Sequence, residues 1–353
     1  MHRRDALLRL LATGLLSGGP WAGRGNQAFA TGPRMTVGCR ASIDKGTNWL
    51  LSAMRRDGAI GVDIDQPPDL ACTAITGLAF LSQGSTPAGG PCSKELGLIL
   101  DSVLNMVDRI PAATHNRSTI TLVQRKIGQQ ADLFFAAFFL SQIFGEMEST
   151  HSEQEVRTSL EKLVNIICRT QGEDGTWGDE SWAPVLGTVM GWESLRASAS
   201  AGVRVDASAK LAGDALLKKL KAKAAGRDED WMHSFYKDAS SIRVLYSLKL
   251  RDEPVFQECV DRILKVAKED SRPFQQAGGE EYLAFYLVTE CLLKEQKPAW
   301  LTWYPTVRDK LIKVQNADGS WSGHHCITGR TFCTAAVLMT LQAPNLYLPA
   351  SSL

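Results

Sequence analysis

The sequence lacks the features that would assign its class at once. Across its 353 residues, no apolar run reaches the roughly eighteen residues of a membrane-spanning helix, and no stretch alternates convincingly like a strand. Positive charge is not in surplus either, because 39 basic residues are balanced by 38 acidic ones and they form no basic stripe. We therefore expect no transmembrane segment, and neither nucleic acid nor an anionic membrane surface as a partner.

Residues 1–30 have the order of an export signal. The pair Arg3-Arg4 precedes a short apolar run, and the small-x-small string Ala28-Phe29-Ala30 follows a Gly/Pro-rich region. This order is typical of a twin-arginine signal peptide, which carries folded proteins, whereas a disordered tail is the plainer alternative. We expect residues 31–353 to form one periplasmic or secreted domain.

One short pattern recurs along the chain. The string Q-x-x-D-G-x-W occurs at Gln171–Trp177 and again at Gln315–Trp321, and a weaker echo starts at Asp57-Gly58. Asp-Gly favours a tight turn because glycine reaches positive φ without a Cβ clash. Two intact copies indicate a repeat architecture, in which the Gln amide and the Trp ring hold a turn between two helices.

Helical patterns follow one another in six pairs whose members differ in kind. The first helix of a pair carries one apolar stripe, as at Val156, Leu160 and Leu163, whereas the second is apolar nearly all round, as in residues 133–144. The expected starts of the first helices are near Ile43, Lys94, Glu153, Asp206, Pro254 and Trp300. Those of the second helices are near Asp69, Gln129, Trp182, His233, Gly279 and Gly329. An outer ring around an inner ring satisfies both patterns, so the sequence predicts an all-α (α/α)6 toroid of six helical hairpins.

Eight cysteines in an exported chain raise the question of disulfides. Five lie inside helical apolar patterns, where a thiol packs as a small hydrophobe: Cys72, Cys168, Cys259, Cys291 and Cys333. Cys39 and Cys92 lie in predicted loops and are favoured for a bridge, although the sequence does not set the pairing.

The helix pairs, the two turns and the export signal together resemble the prenyltransferase and squalene-oxidase repeat family. The likeness is most specific at the two turns, at Trp303–Asp309, at Ala335–Leu338 and at Leu346–Pro349. It implies an α/α toroid from an exported bacterial branch of that family.

The catalytic motifs of that family cannot be carried over to this chain. A triterpene cyclase needs a D-x-D-D acid, and the nearest string is Asp63-Ile64-Asp65-Gln66, which lacks the last carboxylate. A protein prenyltransferase needs zinc ligands from an Asp, a D-x-C cysteine and a His, but D-x-C is absent and Arg330–Cys333 stands where the His is expected. The G-C-G-E-Q string of thioester domains is absent as well.

Polar residues gather at the expected N-termini of the inner helices. The candidate ligand-binding residues at this mouth of the barrel are Asp69, Asp132, His233, Tyr236, Glu281, Tyr282, His325 and Arg330. If the inner helices share one direction, these groups converge above a cavity lined by Phe135, Phe138, Tyr286 and Phe332. A carboxylate beside a His or Tyr can serve acid/base chemistry, whereas helix capping suffices to explain Asp69 and Asp132.

The only cluster of metal-ligand residue types is His324-His325-Cys326, with Cys333 seven residues further on. Adjacent histidines do not easily bind one ion together, and neither C-x-x-C nor H-E-x-x-H supports them. No metal is therefore predicted, and the sequence indicates no cofactor.

The function that these features favour is binding of a small-molecule or polypeptide ligand in the central cavity of an exported toroid. One alternative is a divergent isoprenoid cyclase or transferase, or a glycan-active enzyme, on the same barrel. A cyclase needs an acid at the apex of a deep dry pocket, whereas a glycan-active site needs paired carboxylates in an open groove. The other alternative is a structural module that docks another protein. The sequence leaves catalysis and the oligomeric state open.

Overall fold

The all-α prediction is confirmed. The computed structural model describes residues 35–111, 121–147, 150–177, 180–205, 207–223, 231–295 and 298–345. Within these ranges the chain forms fourteen α-helices and one 3-10 helix, and it forms no strand beyond two isolated bridges. None of the described helices combines the length and apolarity that a membrane crossing requires. The predicted signal peptide, residues 1–30, lies outside the described residues.

The helices follow one another with short connections. In chain order they are α1 (Val37–Ala53), α2 (Leu70–Gln83), α3 (Ser93–Asp108), α4 (Leu122–Ile127), α5 (Ala131–Ile143), α6 (Thr150–Arg169), α7 (Pro184–Ser200), α8 (Ser208–Lys223), α9 (Trp231–Ser247), α10 (Pro254–Glu269), α11 (Arg272–Gln275), α12 (Gly279–Glu295), α13 (Pro298–Lys313) and α14 (Arg330–Gln342), then the 3-10 helix Ala343–Asn345. The predicted pairs correspond to the twelve long helices, whereas α4 and α11 are short helices within long connections.

Burial separates the two kinds of helix. Every residue of α5 is buried, which requires packing on all sides of that helix. In α10, by contrast, burial is confined to Phe256, Cys259, Val260, Ile263 and Ala267, which lie on one face. The apolar helices α2, α5, α7, α9, α12 and α14 are therefore called inner helices below, and the amphipathic helices α1, α3, α6, α8, α10 and α13 are called outer helices.

The helix contacts form a closed cycle. Each inner helix packs against the next, from α2 through α5, α7, α9 and α12 to α14, and α14 packs against α2. Each outer helix packs against the inner helix that precedes it in the chain, as α3 does on α2 and α8 does on α7. The first helix of the described residues, α1, packs against α14 instead. The two ends of the described chain are thereby brought together.

The repeated turns link each hairpin to the outer helix of the next one. The Gln171 side chain donates to the carbonyl oxygens of Gly175, within its own turn, and Ser208, at the start of α8. In the second copy, Gln315 donates to the carbonyl oxygen of Ser42 on α1, at 2.9 Å. Because α1 is the first helix, this copy closes the cycle with the same contacts that the first copy uses between neighbouring hairpins.

The glycines of these turns are required by close packing against the next outer helix. Gly175 and Gly319 have φ values of +85° and +94°, and a Cβ on either would lie 2.6 Å from a backbone oxygen, of Leu211 on α8 and of Lys45 on α1. Gly58, in the weaker echo, has the same relation to Leu98 on α3. A side chain at any of these positions would push the next helix away.

The inner helices start on the same side of the molecule. Lys126, just before α5, contacts both Glu280 in the first turn of α12 and Tyr236 near the start of α9. At the other side, the amide of Gln342 at the end of α14 donates to the carbonyl oxygen of Ala79, near the end of α2. Residues that precede or open several inner helices therefore meet at one rim.

The expected disulfide does not form. All eight cysteines lie within the described ranges and all are free. The prediction placed Cys39 in a loop, but it is buried in the first turn of α1, where its backbone N–H donates to the capping Thr36 hydroxyl. Cys92 is buried at the N-cap position of α3, and its thiol contacts Gln83 at 3.4 Å.

Candidate functional site

Two of the predicted site residues lie at helix starts as buried acids. Asp69 is the N-cap of α2, and its carboxylate accepts from the backbone N–H of Cys72 at 2.7 Å, which is the capping role. Asp132 is buried in the first turn of α5. His233 lies on α9, but its side chain falls outside the part of the structure that is described.

Arg330 has partners of its own, distinct from those of His325. Its guanidinium makes a bidentate pair with Asp63, at 2.6 to 3.0 Å, and a second pair with Asp318 of the C-terminal turn at 2.7 Å. It also lies over the ring of Trp49 on α1, 5.0 Å from its centre. These contacts join the first hairpin to the last, so Arg330 acts with Gln315 in closing the cycle.

Two of the remaining predicted residues, Glu281 and His325, meet in a largely buried ionic group. Lys126 Nζ lies 3.0 Å from Glu280 Oε1. The imidazole of His325 lies between two carboxylates, with Nδ1 3.3 Å from Glu280 Oε1 and Nε2 3.3 Å from Glu281 Oε2. Cys326 completes the group, since its sulfur is 3.4 Å from Lys126 Nζ. We call Lys126, Glu280, Glu281, His325 and Cys326 the rim cluster.

Local structure holds the rim cluster in place. The loop that carries His325 is tied to the start of α12 by two backbone hydrogen bonds, from His324 N to Ala277 O and from Gly279 N to Ile327 O. Tyr282, one of the predicted residues, adds a contact from its hydroxyl to the carbonyl oxygen of Ser322 at 3.4 Å. Cys326 has φ of +51°, a conformation that costs a residue with a side chain about 1–3 kcal/mol.

The two carboxyl groups of the rim cluster differ in pKa because their surroundings differ. Burial opposes ionisation of Glu280, but the hydrogen bond from His325 and the charge of Lys126 outweigh it, so the pKa of Glu280 is lowered. Glu281 does not pair with Lys126. Burial together with the charge of Glu280 raises the pKa of Glu281 to about 8. The hydrogen bond to Glu280 raises the pKa of His325. Two adjacent carboxyl groups therefore differ in protonation at neutral pH.

The rim cluster reaches solvent through its two loop residues, His325 and Cys326, which are both partly exposed. The side chains of Glu280 and Glu281 are wholly buried, whereas that of His325 is 25% exposed. Glu281 Oε1 is buried and has no hydrogen-bond partner among the described residues. Tyr236 lies beneath Lys126, with its ring centre 5.0 Å from Nζ. A molecule arriving from solvent would meet His325 first.

A second buried ionic group, which we call the arginine cluster, lies further along the inner helices. Arg243 on α9 donates through one guanidinium nitrogen to Glu193 on α7, at 2.8 Å, and through the other to Glu290 on α12. The hydroxyl of Ser247 donates to the other Glu193 oxygen at 2.9 Å. All three charged side chains are at least nine-tenths buried.

The residues predicted to line a cavity are all buried. Phe135 and Phe332 make an edge-to-face contact, with ring centres 5.3 Å apart. Phe138 and Tyr286 are buried as well, and the hydroxyl of Tyr286 has no hydrogen-bond partner among the described residues.

Two members of the rim cluster were missed at the sequence level. Lys126 lies on the short helix α4, inside a connection with no periodic pattern, and nothing local marks it. Glu280 was visible as an acid at a helix start, but its neighbour Glu281 was chosen instead. Cys326 was noted only as part of a weak ligand string. No family model matches this chain, and no curated protein matches it either, so the site rests on its own geometry.

Proposed function

We propose that this protein is an exported (α/α)6 toroid, similar to the prenyltransferase and squalene-oxidase repeat family, that binds a ligand at its rim cluster. The closed cycle of inner-helix contacts and the matching turns support the toroid. The observation that carries the binding function is the rim cluster itself, a buried ionic group that opens to solvent at His325.

The physical argument rests on the cost of burying charge. Removing ions from water costs several kcal/mol each, and mutual attraction offsets this only when geometry is good and the remaining polar atoms are satisfied. In the rim cluster, Glu281 Oε1 is left without a partner, and the two His325 contacts are long at 3.3 Å. Groups that packing alone does not explain are characteristic of functional sites.

Apolar side chains are exposed beside the rim cluster. Trp182 is 51% exposed, and its backbone N–H donates to the carbonyl oxygen of Arg125, next to Lys126. Leu122, on the same short helix α4, is also exposed. A surface with an aromatic platform and a few polar groups suits an amphipathic ligand, which is a small molecule or a peptide with one apolar and one polar part.

The enzyme alternatives fit this geometry less well. An alkene is protonated only by a strong acid, and Glu281, the protonated carboxyl of the rim cluster, has a pKa raised to about 8, which makes it a weak one. A glycan-active site needs two carboxylates facing each other across a groove, whereas Glu280 and Glu281 are neighbours in one helical turn and both are buried. Ligand binding requires neither arrangement.

The binding function is tested by thermal unfolding with three probes: farnesyl diphosphate, farnesol and a tryptophan-containing tripeptide. A ligand at a hundredfold excess over its Kd stabilises the folded state by about 2.7 kcal/mol. At least one probe should raise the Tm of the natural chain and raise it less in Trp182→Ala and His325→Ala. Leu301→Ala, which removes an exposed apolar side chain on α13, is the matched control and should respond as the natural chain does. No shift with any probe, or a shift that survives in both rim variants, would reject the proposal.

The export part of the proposal has a separate test. The Arg3-Arg4 pair and Ala28-Phe29-Ala30 place cleavage after residue 30. N-terminal sequencing of the protein recovered outside the cytoplasm should therefore start near Thr31. Recovery of an intact chain that begins at Met1 in the cytoplasm would contradict it.

A further inference from the structure

Three different metal-binding donor types meet in the rim cluster. One carboxylate oxygen of Glu280, one imidazole nitrogen of His325 and the sulfur of Cys326 all lie within 4.8 Å of one another. Two of these donors stand on the loop before α14 and the third on the first turn of α12. The sequence string His324-His325-Cys326 was discounted because neighbouring histidines do not share an ion easily, but in the structure only His325 faces the cluster.

We propose that Glu280, His325 and Cys326 bind a zinc ion at the rim. This inference rests on the same cluster as the proposed function and names a resident cation for it, so the organic ligand would bind beside the metal. The donor set matches zinc because Zn²⁺ accepts oxygen, nitrogen and sulfur together, whereas Mg²⁺ and Ca²⁺ select oxygen alone. Three protein ligands also leave the fourth position for water or ligand, as in open zinc sites.

The distances are close to those of a tetrahedral site. Oxygen and nitrogen ligands at about 2.0–2.1 Å from zinc are separated by about 3.3 Å. Glu280 Oε1 and His325 Nδ1 lie 3.3 Å apart. The three donor atoms now lie within 4.8 Å of one another, and the sulfur has to approach until it lies about 3.5 Å from each of the other two.

The surroundings of His325 resemble those of a metal-bound imidazole. If Nδ1 binds the metal, Nε2 carries the proton and faces Glu281 Oε2, 3.3 Å away. A carboxylate that accepts from the second nitrogen of a ligating histidine fixes the ring and makes it a better ligand. Glu281 is itself held by the backbone N–H of Gly278, which donates to Oε2 at 2.7 Å. Its buried Oε1 has no hydrogen-bond partner in the described part of the chain and could accept from a metal-bound water.

A cation already contacts two of the three donors. The ammonium of Lys126 lies 3.0 Å from Glu280 Oε1 and 3.4 Å from Cys326 Sγ, so the pocket accommodates positive charge in the absence of metal. Zinc and this ammonium would repel each other at such distances, and Lys126 must turn away when the metal binds. Lys126 therefore lowers zinc affinity, and its removal should raise that affinity.

The test measures zinc bound to the purified chain after treatment with a chelator and dialysis against zinc. The natural chain should hold one zinc per chain, and Cys326→Ala and His325→Ala should hold none. Cys168→Ala, which removes a partly buried thiol on α6, is the matched control and should keep the ion. In competition with a chromophoric chelator, Glu281→Gln should bind about 10–100-fold more weakly, and Lys126→Met at least roughly tenfold more tightly.

Cobalt provides a second readout that does not depend on any activity. Co²⁺ bound in the zinc site should show a sulfur-to-cobalt charge-transfer band that is lost in Cys326→Ala. Absence of stoichiometric zinc in the natural chain overturns the proposal, even if Lys126→Met binds it. Retention of zinc in both Cys326→Ala and His325→Ala overturns it too. Neither result changes the thermal shift expected with the organic probes or its loss in Trp182→Ala. A failure of the zinc proposal can therefore be distinguished from a failure of the proposed function.

Discussion

The rim cluster and the arginine cluster bury similar charges but differ in the cation that holds them. In the arginine cluster, Arg243 contacts Glu193 and Glu290 through separate nitrogens of one planar guanidinium. In the rim cluster, Lys126 is the cation, and the partly exposed His325 adds positive charge only when it is protonated. The rim cluster lies at the starts of the inner helices and on the loop before α14, whereas the arginine cluster lies further along those helices.

This difference separates a fixed ionic group from an exchangeable one. A guanidinium does not lose its proton in proteins and presents its donors in a rigid fork, so the arginine cluster keeps its charges under all ordinary conditions. An imidazole changes charge near neutral pH, and a lysine ammonium is a mobile point charge on a flexible chain. Of the two clusters, the one around His325 and Lys126 is therefore the one that can change its protons or its cation, and His325 is 25% exposed.

The largest effect is expected at the arginine cluster. Arg243→Met removes the buried cation between Glu193 and Glu290, which then keep the longer contacts with Arg196 at 3.2 Å and Lys294 at 3.5 Å, respectively. Breaking a buried pair in this way costs about 3–5 kcal/mol. The free energy of unfolding, measured with urea, should fall by that amount with an unchanged m-value. If the variant unfolds within about 1 kcal/mol of the natural chain, Arg196 and Lys294 compensate for the lost guanidinium, and the contrast between the clusters is lost.

Removal of the rim lysine should cost less. In Lys126→Met, Glu280 keeps the contact with His325 and the backbone N–H of Ile327, so the expected loss is about 1–3 kcal/mol. The measurement is urea unfolding of the metal-free chain beside Arg243→Met. If Lys126→Met loses as much unfolding free energy as Arg243→Met, Lys126 is a fixed structural cation like Arg243. The distinction between a fixed and an exchangeable cluster would then be lost.

Of the two clusters, the rim cluster should make the free energy of unfolding depend on pH between about 4.5 and 8. The folded pKa of Glu281 is about 8 and its ordinary value is 4.5, so between these values the unfolded chain releases a proton that the folded chain keeps. Stability therefore falls as pH rises from 4.5 to about 8, by at most about 1.4 kcal/mol per unit. His325 acts in the same direction, because its raised pKa favours the folded state at low pH and this contribution is lost as pH rises.

Glu281→Gln removes the larger of these two contributions. In the metal-free chain, the variant should be more stable than the natural protein at pH 7.5, by about 1 kcal/mol, and the gain should shrink at pH 5. Urea midpoints at the two pH values provide the measurement. Parallel pH profiles for the two proteins would show that Glu281 is ionised in the folded state throughout.

The smallest effect is expected for an ion pair at the surface. Arg157 and Glu161 pair on α6 at 3.0 Å, with side chains 38% and 50% exposed. Because solvent screens such a pair, Arg157→Ala should change stability by at most about 0.5 kcal/mol. Arg157→Ala is the control in the same urea series. If it lowers the free energy of unfolding by more than about 1 kcal/mol, removal of a charge is costly even at the surface, and the losses in the two cluster variants could not be attributed to burial.

Much of the helix arrangement was predictable because its signals are local. The starts of five inner helices were predicted within two residues, and that of α12, at Gly279, was predicted without error. The echo at Gly58 proved equivalent to the intact turns in its packing on the next outer helix. Apolar periodicity and the Asp-Gly turn act within one or two helical turns of sequence, which is why both can be recognised in a single chain.

The candidate site was only half predictable. Tyr236, Glu281 and His325 were selected as polar residues at the starts of inner helices; Glu281 and His325 do meet, and Tyr236 lies against Lys126 of the same cluster. Arg330 was selected on the same ground, but it pairs instead with Asp63, which no local pattern connects to it. Helix starts place side chains on a rim, but which of them touch depends on loop conformations that sequence periodicity does not describe.

What the sequence by itself determined is the all-α class, the alternation of inner and outer helices, and the turns between them. These follow from burial patterns and backbone preferences that act over a few residues. Only the tertiary structure decided that Lys126 faces Glu280 and that His325 lies between two carboxylates. Those contacts join positions 126, 280 and 325, and such long-range contacts exist only after the inner helices have closed into their cycle and buried the charges together.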